Sequence, residues 1–122
     1  MYSRILVGTD GSKTAARAVE RAVEVASATG ATLTILSAGN GAKAQQVVAA
    51  AAALHAGPDV KIETLVREGD PATVLLEHSE RGYDLLVVGN KGMTGVTRFL
   101  PGSVPNKVSH HSPCALLIVH TT

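Results

Sequence analysis

The sequence predicts an α/β fold, a doubly wound parallel sheet of five strands with helices on both faces. Two observations carry this. Strand-like and helix-like segments alternate five times along the 122 residues, and the strand-like segments are short, near-continuous apolar runs. Such runs indicate strands covered on both faces, as parallel sheets require. No internal repeat or linker-like segment interrupts the pattern, so one domain over residues 1–122 is expected.

The elements follow in order. Residues 3–9 (SRILVGT) form a buried strand ending in Gly8-Thr9, and Asp10-Gly11-Ser12 turns the chain. Ser12 is the expected N-cap of a helix over 13–29. In that helix Ala15, Val19, Ala22, Val23 and Ala26 share one face, charged residues take the other, and Gly30 ends it. Residues 32–38 (TLTILSA) alternate into a second strand, and Asn40-Gly41 opens an alanine-rich helix reaching about residue 56. The third strand is expected over 60–66. Asp70-Pro71 starts the next helix, since proline at the first helical position loses no hydrogen bond, and that helix runs to near Gly82. The fourth strand is 84–88, a glycine loop and a short helix over about 103–111 follow, and Ala115–Val119 is the fifth strand.

Composition removes several function classes. The net charge of +1 lacks the basic excess of a nucleic-acid binder, and two tyrosines and one phenylalanine leave little for stacking on bases. No apolar stretch approaches the roughly 18–20 residues of a membrane span. The N-terminus reads as a strand rather than a signal peptide, and Cys114 has no second cysteine to pair with. These features point to a cytoplasmic protein with neither nucleic acid nor membrane as partner.

The chemistry concentrates at two strand exits. Ligands of doubly wound sheets bind beyond the carboxyl ends of the strands, where the strand order reverses. With the order taken as 3-2-1-4-5, that reversal separates the first and fourth strands. Their exits are Gly8-Thr9-Asp10-Gly11-Ser12 and the loop GNKGMTGVTRFLPGSV from Gly89, the two most glycine-rich polar exits in the chain. Gly89 and Gly92 allow close backbone approach, and Gly102-Ser103 opens a helix whose unpaired N–H groups suit an anion. Lys91 and Arg98 are candidate charge partners for phosphate, while Asp10 is placed to accept from ribose hydroxyls or to join a phosphate-bound Mg²⁺. A turn alone does not need a loop of about a dozen residues. Gly95 is read as conformational only.

Gly89-x-x-Gly92, nine residues, then Gly102-Ser103 resembles the G-2x-G-9x-G-(S/T) nucleotide motif of the universal stress protein family. The resemblance extends over the chain through ILVGTDGS, REGDPA, DLLVVGNKG and LLIVH. It implies a Rossmann-like sheet, similar to the adenine nucleotide alpha hydrolases, of order 3-2-1-4-5, commonly dimeric through the last strand. It also implies adenine near Thr9, Asp10 and Ala38, ribose near Gly8, Asp10 and Gly89, and phosphates near Gly92, Gly102, Ser103 and Val104. Pro105 departs from the hydroxyl residue often found after that motif and removes a hydroxyl and an N–H from the phosphate cradle. The G-S-V-P turn is similar to that of actinobacterial-type members that include cyclic AMP binders. Gly39-Asn40-Gly41 is also a short connection, so part of the flap usual near adenine is expected to be missing.

Five histidines do not assemble a metal motif: His110 and His111 are adjacent and point about 100° apart on a helix. Among the residues around the inferred site only Asp10 offers a base, so any hydrolysis is expected to be slow. The resulting expectation is an ATP-binding stress-response protein acting as a sensor or binding module, a homodimer through Ala115–Val119. The alternatives are a cyclic AMP or AMP binder, a weak Mg²⁺-dependent ATPase, and a dimerisation module with a vestigial site.

Overall fold

The computed structural model describes residues 2–39, 41–90 and 114–120. It contains β1 (Arg4–Gly8), α1 (Lys13–Thr29), β2 (Thr32–Ala38), α2 (Gly41–Leu54), β3 (Ile62–Arg67), α3 (Pro71–Ser79), β4 (Leu85–Gly89) and β5 (Ala115–Val119). All five strands pair in parallel, in the order β3-β2-β1-β4-β5. The expected short helix over 103–111 lies outside the described residues.

Period-two alternation sends each strand's side chains to opposite faces, where they meet different helices. From β1, Ile5 and Val7 join Ala18, Val19 and Ala22 of α1 and Val48 of α2 in one core. Leu6 points the other way, with Leu36, Leu86 and the α3 residues Ala72, Val74 and Leu75. Ile5, Leu6 and Val7 are 0% exposed, as a central strand covered on both sides must be.

The helix signals hold at the N-termini. Ser12 caps α1 by accepting from the Ala15 N–H at 3.2 Å, and Gly30 closes that helix in the left-handed region at φ 75°. Asp70 caps α3, accepting from the Thr73 N–H at 3.1 Å with Pro71 at the first turn. The buried face of α1 is Ala15, Ala18, Val19, Ala22 and Ala26, with Val23 at its margin.

Several boundaries differ from the sequence expectation. α2 stops at Leu54 and α3 at Ser79, short of 56 and 82. Gly82 has φ 93°, which ends any helix before it. β3 begins at Ile62 rather than 60, although Val60 is already buried. β4 begins at Leu85 because Asp84 is occupied otherwise, accepting from the Ser3 and Arg4 N–H groups at 2.8 and 3.1 Å. Its carboxylate thereby holds the entry of β1 beside that of β4.

The two sheet edges have different character. β3 carries Glu63, with Lys61 just before it at 3.9 Å, an exposed pair of little energetic weight. β5 carries no charge along Ala115–Val119, so among the described residues it is the edge without that protection.

On the far side of α3 from its cap, His78 meets the Tyr83 ring at 5.4 Å, and the Arg4 guanidinium lies 4.4 Å from the centre of that ring. The Tyr83 hydroxyl is anchored in the core by a 3.0 Å hydrogen bond to Thr34 Oγ1. Burial first, and then the charges of Arg81, Arg67 and Arg4, lower the pKa of His78. The unfolded chain therefore binds this proton more readily than the folded one. Stability from this group is complete above the ordinary histidine range and decreases as pH falls through it. Urea midpoints at pH 7.5 and 5.5 should show a smaller decrease in His78→Gln than in the wild type. An equal decrease in both would remove His78 from the pH response.

Candidate functional site

The β1 exit is built as a sequence of tight local hydrogen bonds. The Thr9 N–H donates to the Leu36 carbonyl at 2.9 Å, extending the β1–β2 ladder one residue beyond β1. The buried Thr9 hydroxyl then accepts from the Gly11 N–H at 3.1 Å. Asp10 Oδ1 accepts from the Ser12 N–H at 2.9 Å, an Asx turn that delivers Ser12 to its capping position. Gly11 makes the turn possible with φ 83°, which an L side chain rarely adopts. These bonds engage one Asp10 oxygen and leave Oδ2 without a hydrogen bond among the described residues.

β2 ends at Ala38, and the Gly39 N–H donates to the Arg67 carbonyl at 2.9 Å, which holds the exit of β2 against β3. β4 ends at Gly89, where the Asn90 N–H donates to the Val119 carbonyl at 2.8 Å. Since Val7 pairs with Val87, the β1–β4 register sets Gly8 and Thr9 beside Val88 and Gly89. Gly8, Thr9, Asp10, Ala38 and Gly89 thus meet at the carboxyl ends of β1, β2 and β4. This is where the strand order reverses. Gly92, Gly102, Ser103 and Val104, with Lys91, Arg98 and Pro105, lie outside the described residues.

A cavity of about 220 Å³ opens at the β1 and β2 exits, lined by Asp10, Ser37, Ala38, Gly39, Lys43, Ala44 and Val47. Five of these residues were not among the sequence candidates for binding: Ser37 and Gly39 at the β2 exit, and Lys43, Ala44 and Val47 from the first turns of α2. The available signal was the shortness of Gly39-Asn40-Gly41, which brings α2 directly onto the strand exits. Among the described residues Asp10 is the cavity's one carboxylate and Lys43 its one ammonium. A second, more apolar cavity of about 410 Å³ continues between α1 and α2, with Val47 and Lys43 lining both.

The site can receive a hydrogen-bond donor such as a hydroxyl at Asp10 Oδ2. One available carboxylate oxygen suits a Mg²⁺ held mainly by a ligand's phosphates, a common arrangement for that ion. Among the described residues no three His, Cys, Asp or Glu side chains come together as a metal site. His78 and Cys114 belong to the α3 side of the sheet, away from this cavity.

Comparison with known proteins gives a consistent match. The model of the universal stress protein family matches residues 1–41 and 37–120. Universal stress protein YxiE of Bacillus subtilis is 31% identical over 147 aligned positions, covering 98% of this chain and 99% of that protein. Universal stress protein Rv1636 of Mycobacterium tuberculosis is 36% identical, covering 99% of this chain and 98% of that one. A universal stress protein solved in complex with cAMP superimposes with a TM-score of 0.85 at 39% identity, covering 99% of this chain and 98% of the other. The alignment to YxiE is longer than the 122 residues present here, and the two family matches meet at 37–41. The break falls at the junction of β2 and α2.

Proposed function

The chain belongs to the universal stress protein family, and from that premise we propose that it is an adenine-nucleotide-binding stress protein, a sensor or binding module rather than an enzyme. The observation that carries this reading is the cavity lined by Asp10 and Ala38 at the carboxyl ends of β1 and β2, with Gly8, Thr9 and Gly89 at the neighbouring strand exits. Adenine would lie between the β1 and β2 exits against Ala38, and the ribose hydroxyls would reach Asp10 Oδ2. The phosphate side would belong to the glycine loop through Gly92, Gly102, Ser103 and Val104, with Lys91 and Arg98 as charge partners.

Cyclic AMP is the preferred ligand in this reading, supported by the 39%-identical protein solved with cAMP and by Pro105. ATP is the second reading, favoured by the spacing of Gly89, Gly92, Gly102 and Ser103. The chain would act in the cytoplasm as a single domain and as a homodimer, with β5 pairing antiparallel to its copy. The absence of charge on β5 supports that choice of edge.

Calorimetric titration with cAMP, AMP and ATP, with and without Mg²⁺, tests the proposal. cAMP is expected to bind more tightly than ATP, and light scattering on the same samples should give twice the chain mass. No binding heat from any of the three defeats the nucleotide reading, and a monomer mass defeats the dimer. Phosphate release that disappears in Asp10→Ala would instead support the weak ATPase.

A further inference from the structure

The β2-side wall of the cavity is a helix. β2 ends at Ala38 and α2 starts at Gly41, which leaves no room for a loop to fold over the site. The packing is close at two places. A Cβ built on Gly39 would lie 3.5 Å from the Ala44 Cβ, in ordinary contact. A Cβ built on Gly11 would lie only 3.0 Å from Val47 Cγ2. The first turns of α2 therefore rest on both the β2 exit and the β1 turn. The break between the two family matches at 37–41 coincides with this junction.

This placement carries Lys43 into the same cavity lining as Asp10. Lys43 is exposed and makes no hydrogen bond or ion pair among the described residues. It is also the single charged side chain of α2. Among the described residues no other positive group lines the cavity to offset the Asp10 carboxylate, which by itself would repel a phosphate.

We infer that Lys43 is a specificity-determining residue of this site, adding to the charge of the glycine loop in selecting adenosine phosphates over unphosphorylated adenosine. The inference rests on the nucleotide reading above and adds to it a residue from α2. An ammonium at the cavity mouth acts on a ligand's net charge through partly screened Coulomb attraction, so it need not touch the phosphate to favour it. A neutral nucleoside gains nothing from that field. The base and ribose contacts, made by the strand exits, are unaffected by the charge of α2.

The test is calorimetry with AMP and adenosine on wild type, Lys43→Gln and Lys43→Arg, at low and at physiological salt. Lys43→Gln should weaken AMP about fivefold at low salt, an effect of the size of one partly screened charge. It should leave adenosine unchanged, and the loss should shrink at higher salt. Lys43→Arg should keep the wild-type preference. Equal loss for AMP and adenosine, or no loss for either, overturns the role of Lys43 while leaving the nucleotide reading in place. Wild type that binds neither ligand overturns both. Circular dichroism on each variant separates a folding defect from a binding one, and Lys43→Arg supplies the reading if the glutamine variant is unfolded.

Discussion

Leu86→Ala is expected to destabilise the protein by about 3 kcal/mol, within the range typical of buried leucine truncation. Leu86 lies in β4 next to the central strand, is 0% exposed, and pairs in register with Leu6 and Leu116. Its side chain meets the α3 core, where Leu6, Leu36 and Leu75 are also 0% exposed. Removing three carbons there leaves a void that rigid neighbouring strands cannot collapse to fill. Urea denaturation followed by circular dichroism should show a lower midpoint with an unchanged slope. A shift of under about 1 kcal/mol would mean that this side of the sheet repacks freely, contrary to the close packing expected of a protein interior.

Gly11→Ala has the second largest expected effect, and it couples stability to the site. Two costs coincide at this position. The φ of 83° costs an L residue about 1–2 kcal/mol. The new Cβ also falls 3.0 Å from Val47 Cγ2, so α2 or its side chain must shift. The combined loss is expected to be about 2 kcal/mol. The two parts separate in a double-mutant cycle, because Val47→Ala removes the steric part and leaves the backbone part. Nucleotide affinity should fall in Gly11→Ala and partly recover in the double variant, since displacing α2 displaces the cavity wall. Additive effects of the two substitutions on both stability and affinity would show that α2 does not bear on the turn.

Much of the architecture was legible in the residues because its causes are local. Ser12 and Asp70 are short side-chain acceptors placed one residue before a helix, and both cap as expected. ILV in β1 and LLVV in β4 are apolar on both alternating faces, which fits only strands covered from both sides. The strand ends were also legible, β1 closing at Gly8 before Asp10 and β4 at Gly89. Boundaries were less so. Asp84 reads as part of an apolar run, yet its carboxylate binds the Ser3 and Arg4 backbone, 80 or more residues away in sequence. No local pattern announces such a pairing.

By itself, then, the sequence determined the alternation of elements, the helix starts and the polar strand exits, because capping, periodicity and turn chemistry act within a few residues. Only the tertiary structure decided what shares the cavity with Asp10. Lys43 looks like an ordinary solvated charge on an alanine-rich helix, and Val47 like an ordinary packing residue. Their place at the site follows from a short connection that draws α2 over β1 and β2, where Val47 meets Gly11 and Lys43 joins the same lining as Asp10. That contact spans 36 residues of chain between Gly11 and Val47, and only the packing of helix on sheet brings them together.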